Sequence, residues 1–550
     1  MKEMAVSVIP EPKMLEFTGR WFVFDGFENL PEFLMHEFDL SKGSWKIVEA
    51  QRNGTGLKVK DREITIWGDE SVDYATILQL VKQGKGRLPE VKILESLKFK
   101  FRGYHLDIAR GGVPNIETFK TVLKWLFLLK YNHFAIYFED LFPWRSHPHI
   151  GKSRGRMTED ELNEIIEYGK HLGIEVFPSL ELSGHMEHIL SLPEFQDFSE
   201  WHDPREGCLD LSNVKAKEFT YELLKEAVKF FPSKYVHIGG DETWALGRGK
   251  SLGKTWRFEG PALYESHHRR MIEMVKENEK EPMLNGDMIA GMYLGEEGAK
   301  WAEVMESEIW KKVLVVNWDY SPFQKQHFKD KIRLFKDRGI NQIACPGFSN
   351  WNRYYPNFQT AMENLRNFLT AAKEEDLFGF LVTAWGDDGE ECLFSFLEPL
   401  LLATVEIAEG KGRWQEKWMA MRGEDEHIAK ARILFGNSGI SDVLKHVIFR
   451  DPWFFRLSSQ RKEETRSLWE GTLKEIGDSY LPEDLDFIRK LLEVGLNILS
   501  NNVTVTDYLT LSNLYSSLWL AERKPEGLDT IVGRLWGAAG KENLKLLGTR

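Results

Sequence analysis

The feature that most constrains the fold of this chain is an alternation between residues 99 and 408. Short apolar runs occur at 99–106, 133–138, 174–180, 235–238, 282–284, 313–317, 342–346 and 378–384, and most gaps between them hold a helical pattern. Asn115 stands where it would cap one such helix, and Thr158 with Glu161 has the spacing of a capping box for another. Eight strand–helix units in succession predict an α/β fold, a (β/α)8 TIM barrel. The rival, a doubly wound open sheet, lacks the Gly-rich phosphate loop expected after one of its strands.

The flanks differ from this pattern. Residues 1–98 carry short alternating segments, such as 21–24 and 63–67, separated by helical stretches, and read as a small α/β domain. Gly410 and Gly412 end the alternation, and residues 409–550 hold long amphipathic segments with almost no strand signal, so a helical C-terminal region is expected.

Net charge of -13 argues against a nucleic-acid partner, which would need clustered Lys and Arg, and against an anionic membrane surface. No apolar run is long enough to span a bilayer, and residues 1–15 lack an apolar leader. Cys208, Cys345 and Cys392 form neither a disulfide framework nor a metal pair. A reduced, cytoplasmic protein is the expectation. Its oligomeric state is left open, and a homodimer is compatible with the amphipathic C-terminal faces.

In a barrel of this kind, catalytic groups sit at the C-terminal ends of the strands. The unusual polar residues follow that rule. Glu139 and Asp140 come after the second strand, His185 after the third, Asp241 and Glu242 after the fourth, and Asp287 after the fifth. Trp318 and Tyr320 come after the sixth strand, and Trp385, Asp387 and Glu391 after the eighth. The first strand contributes Arg102, Asp107 and Arg110. Acids accept hydrogen bonds from hydroxyls and indole faces cover the apolar side of a sugar ring, so this set suits a small neutral oligosaccharide or glycoconjugate. No HExxH or similar cluster exists, and neither a metal nor another cofactor is expected. His237 reads as structural, bonding neighbouring strands, and Asp107–Arg110 reads equally as a brace or as ligands.

Adjacent acids after an apolar strand and two glycines, in Tyr235-Val-His-Ile-Gly-Gly-Asp-Glu242, propose acid–base chemistry, since like charges raise one another's pKa. His237-Ile-Gly-Gly-Asp-Glu242 resembles the signature of glycoside hydrolase family 20, the β-N-acetylhexosaminidases. Phe101-Arg-Gly-Tyr-His-Leu-Asp107, Glu139-Asp140 with Arg154-Gly-Arg156, Ser183-Gly-His185 and Trp385-Gly-Asp-Asp-Gly-Glu-Glu-Cys392 resemble its other motifs, in order. The second and last loops resemble the branch without the Asp-Asp-Gln-Gly-Trp sequence. The resemblance covers residues 1 to about 400 and implies substrate-assisted catalysis, an exception to the two-carboxylate scheme. It implies Glu242 as general acid and base, Asp241 as partner of the acetamido N–H and Tyr320 as donor to the acetamido oxygen. It further implies that Asp140 orients His185, which orients Glu242. Arg102, Asp387 and Glu391 would bind hydroxyls, Trp385 would stack under the sugar, and Trp318 would line the acetamido pocket. Two positions depart from the pattern: Ser179-Leu-Glu181-Leu-Ser183 replaces Glu-x-Asp-x-Pro, and Asn285 stands where a tryptophan often lines the acetamido pocket. The alternatives are a carbohydrate-binding protein without turnover, or a conventional retaining glycosidase with Asp140 or Asp287 as nucleophile.

Overall fold

A computed structural model describes residues 6–290 and 298–546. Five strands come first: β1 (Met14–Val23), β2 (Lys46–Glu49), β3 (Gly56–Lys60), β4 (Glu63–Trp67) and β5 (Arg87–Leu94), in sheet order β1-β5-β3-β4-β2. The helix Glu70–Gly84 packs on this sheet, capped by Asp69, whose side chain accepts from the Val72 N–H.

Eight parallel strands then close a barrel: β6 (Phe101–Asp107), β7 (His133–Tyr137), β8 (Glu175–Ser179), β9 (Tyr235–His237), β10 (Glu281–Asn285), β11 (Leu314–Trp318), β12 (Gln342–Cys345) and β13 (Gly379–Ala384). Each overlaps one of the eight runs read from the sequence. The expected helix caps are present: the Thr118 N–H donates to Asn115 Oδ1 at 2.9 Å, and Thr158 with Glu161 forms a capping box. All eight strands contribute to one apolar cluster, including Phe101, Ala135, Phe177, Tyr235, Met283, Val316, Ile343 and Leu381. This lumen is a packed core, as the geometry of an eight-stranded barrel requires.

From Trp414 onward every described element is a helix. Among the described residues no helix is long and apolar enough to cross a membrane. The three regions are joined by buried polar contacts at the N-terminal end of the barrel. Glu409 accepts from the Lys98 and Phe99 N–H groups, at 2.6 and 2.8 Å. The Gln79 amide bonds both the backbone of Ile9 and the Leu128 carbonyl. Lys130 Nζ lies 2.7 Å from Glu95 Oε1, with both side chains almost wholly excluded from water.

Removing one partner of such a buried pair strands the other charge. Lys130→Ala is therefore expected to destabilise the protein by about 3–5 kcal/mol, measured by denaturant unfolding. A change near zero would mean that the pair does not hold the N-terminal domain to the barrel.

Candidate active site

The site is built at the C-terminal ends of the barrel strands. After β9 the chain turns through Gly239 and Gly240, with φ of +65° and +89°. A Cβ at Gly239 would meet Glu181 Oε2 at 2.2 Å, and one at Gly240 would meet the Leu284 and Tyr264 side chains. Only glycine meets both demands, and the turn delivers Asp241 and Glu242 to the mouth of the barrel. Glu139, His185, Glu242 and Asp387 also hold left-handed backbone, with φ from +43° to +48°. Such conformations cost on the order of 1 kcal/mol or more for non-glycine residues and gather at functional sites.

Asp241 is buried, and its Oδ1 accepts from Asn285 Nδ2 at 2.8 Å. His185 Nε2 lies 3.6 Å from Asp241 Oδ2 and 3.5 Å from Glu242 Oε2. Burial alone would push the Asp241 carboxyl upward, but the contact with His185, its charge and the Glu181 carboxyl hold it well below the usual range. Burial likewise opposes protonation of His185, yet Asp241 raises it to about 9. The neighbouring acids go the other way. Burial and the Asp241 charge push Glu181 well above its ordinary value and raise Asp287 to about 8. At neutral pH Asp241 is thus an anion, paired with an imidazolium and flanked by two neutral carboxyls. Asp287 Oδ2 accepts from the Glu242 N–H at 3.0 Å, which fixes the turn that carries Glu242.

Beside these acids stands a cup of rings. Trp318 and Tyr320 stack at 5.2 Å, Trp351 lies 5.3 Å from Tyr320, and Trp385 Nε1 donates to the Tyr320 hydroxyl at 2.9 Å. The cup has a volume of about 260 Å³, and Arg110, His185, Asp241, Glu242 and Asp387 complete its lining. Glu242 also lines a second, outer cleft of about 750 Å³. It therefore stands where the two cavities meet.

Three expectations are corrected. Arg102 is not at the site. It is the second residue of β6, at the opposite end of the barrel, where it donates to the Lys130 and Phe99 carbonyls at 2.7 and 2.6 Å. The arginine of the cup is Arg110, which follows the C-terminal end of the same strand. It pairs with Asp107 at 2.8 Å and Glu139 at 2.9 Å, and lies over the Tyr137 and Trp385 rings. It is both brace and lining.

Glu391 does not face the cup either. It is buried against Lys445, at 2.6 Å, and Arg534, at 2.8 Å, both from C-terminal helices. Nor does Asp140 orient His185: it pairs with Arg154, while His185 Nδ1 faces Arg110 Nη2 at 3.4 Å. Asp241, Glu242, His185, Tyr320, Trp318, Trp385 and Asp387 do come together. Trp351 is a lining residue beyond those expected from the sequence. Its position after the seventh barrel strand, by the rule applied to the other loops, could have marked it. His237 bonds Ser179 Oγ of the neighbouring strand at 3.0 Å.

Among the described residues, Glu139, Glu187 and His188 bring three possible ligand atoms within 4.8 Å of one another. The guanidinium of Arg110 already pairs with Glu139 there.

Residues 99–350 match the family model of the glycosyl hydrolase family 20 catalytic domain. The matched stretch, which holds the first seven of the eight barrel strands, is similar to that catalytic domain. A β-hexosaminidase of Vibrio furnissii is 30% identical over 203 residues, covering 30% of this chain and 33% of that protein. Human hexosaminidase D is 23% identical over 304 residues, 53% of this chain and 61% of that one. The chain spans about a third of the length of the first bacterial relatives it matches. Among solved structures, the β-N-acetylhexosaminidase of Bacteroides fragilis superposes with a TM-score of 0.60 at 18% identity, over 76% of this chain and 96% of that one. The chitobiase of Flavobacterium johnsoniae gives 0.58 at 17%, over 95% and 100%. At these identities the structures establish the fold alone, and the likeness extends beyond the barrel into both flanks.

The His185–Asp241 pair has a measurable signature. By NMR, the His185 imidazole is expected to titrate near 9, and its pKa should fall in Asp241→Asn. Because the folded value lies above the ordinary 6.5, the pair's stabilisation is full below pH 6.5 and is lost as pH rises through about 9. Titration near 6.5 in the parent protein would rule out the ion pair.

Proposed function

We propose that the chain is an exo-acting β-N-acetylhexosaminidase that removes terminal β-linked GlcNAc or GalNAc with retention, by substrate-assisted catalysis. The observation that carries this reading is the division of labour between adjacent acids. Asp241 is held as an anion inside the aromatic cup, while Glu242 stands at the cup's mouth. A sugar ring seated in the cup against Trp385 would point its leaving oxygen toward the outer cleft, past Glu242.

In the proposed reaction Glu242 gives its proton to the leaving oxygen as the anomeric C–O bond breaks. The acetamido oxygen of the same sugar forms the new bond to the anomeric carbon. Asp241 accepts the amide N–H and balances the positive charge that develops on it. Water then adds to the anomeric carbon, its proton passes to Glu242, and the bond between the anomeric carbon and the acetamido oxygen breaks, restoring the amide. Tyr320 is the proposed donor to the acetamido oxygen, and Asp387 and Arg110 the proposed partners of ring hydroxyls. Neither Asp140 nor Asp287 is among the residues lining the cup, which disfavours a protein nucleophile at either position.

Turnover of p-nitrophenyl β-GlcNAc, β-GalNAc and β-glucoside tests the reading. The two acetamido sugars should be hydrolysed and the glucoside should not, and preference for the glucoside would sink it. Glu242→Gln should lower kcat/KM on an unactivated disaccharide by about 10³-fold. Asp241→Asn should cost about 10²-fold, the scale of one preorganised electrostatic partner. Binding without turnover across the pH range would favour the non-catalytic alternative.

A cytoplasmic location stays part of this proposal, supported by three buried, unpaired cysteines. Cell fractionation tests it.

A further inference from the structure

The outer cleft has walls from two distant parts of the chain. Barrel loops supply Ser153 and Glu187 on one side and Asp388 on another, while the C-terminal region supplies Asp529, Thr530 and Arg534 from the start of the helix Leu528–Leu546. That helix is fixed to the mouth of the barrel. A Cβ at Gly527, just before it, would lie 1.8 Å from the Gly111 carbonyl oxygen, so the two backbones touch. Arg534 donates to the Asp388 carboxylate at 2.7 Å and to its carbonyl oxygen at 3.0 Å, and pairs with Glu391. Asp529 and Thr530 are exposed and line the cleft.

We propose that the C-terminal helical region completes a leaving-group subsite in this cleft, with Asp529 and Thr530 selecting a neutral pyranose there. The inference rests on the hexosaminidase reading of the inner cup and goes beyond it by giving the helical region a role in specificity. Three observations carry it. Glu242 belongs to both cavities, so whatever it releases from the cup enters the cleft. No Trp, Tyr or Phe is among the described residues lining the cleft, so a flat aromatic leaving group gains no stacking there. The cleft is also rich in acceptors. Its arginines are engaged, Arg110 with Asp107 and Glu139, Arg154 with Asp140, and Arg534 with Asp388 and Glu391. The carboxylates of Glu187, Asp387, Asp388 and Asp529 and the Thr530 hydroxyl belong to its lining. Sugar hydroxyls can donate to these groups, whereas an anionic leaving residue would meet like charge.

The test compares GlcNAcβ1-4GlcNAc with p-nitrophenyl β-GlcNAc in the intact Asp529→Ala/Thr530→Val variant, which removes the carboxylate and the hydroxyl at two exposed positions. The variant should lower kcat/KM for the disaccharide about tenfold while leaving the aryl glycoside within about twofold and the melting temperature unchanged. Equal loss on both substrates, or no loss on either, overturns the proposal. A second arm uses calorimetry in the Glu242→Gln background. There the disaccharide should bind more tightly than GlcNAc, and the advantage should vanish when the two wall substitutions are added. A disaccharide that binds no tighter than GlcNAc overturns the proposal. If the parent protein hydrolyses neither substrate, the functional reading has failed, and the calorimetric arm still decides whether the cleft holds a second sugar.

Discussion

The site depends on keeping one buried carboxylate charged. Asp241 lies where burial opposes ionisation, hydrogen-bonded to Glu181 and within the field of Asp287. Three full charges in that space would repel one another by several kcal/mol. The structure resolves this by sharing the load unequally. Glu181 and Asp287 stay protonated, His185 carries the compensating positive charge, and Asn285 donates directly to Asp241. The neutral acids keep useful work: Asp287 holds the Glu242 backbone and Glu181 takes part in the hydrogen bonding of Asp241. Asn285 also gives meaning to a departure seen in the sequence. Where the motif often carries an indole, the side-chain amide of Asn285 secures the Asp241 carboxylate.

Much of the frame was legible in the sequence because the barrel repeats a local pattern. Each strand is a short apolar run, each helix announces its start through a cap, and the strand-end rule places the polar residues without knowledge of distant contacts. Arg102 shows where motif matching overrode that rule. A residue at the start of a strand lies at the opposite end of the barrel, and its guanidinium is used there by backbone carbonyls. Position within the strand would have pointed to Arg110 instead. Trp351, after the seventh barrel strand, obeys the same rule.

Glu391 and Asp140 were not legible in the same way. The partners of Glu391 lie in helices that begin after the barrel has closed, and nothing near residue 391 announces them. Asp140 is taken by Arg154, a residue of its own loop, and the sequence offers no means to choose between that guanidinium and His185. Ion-pair choice within a crowded rim depends on side-chain reach in three dimensions, which periodicity and spacing do not encode.

The contact between Glu391 and Arg534 joins residues 143 positions apart. Ribosomes make chains from the N-terminus, so the last barrel loop emerges long before the arginine that secures it. The barrel can close its sheet and pack its lumen while that loop still lacks its final anchor. The mouth would then gain its last anchor only when the helix that carries Arg534 has been made and docked. A nascent or C-terminally clipped chain could hold a folded barrel and yet lack a finished rim.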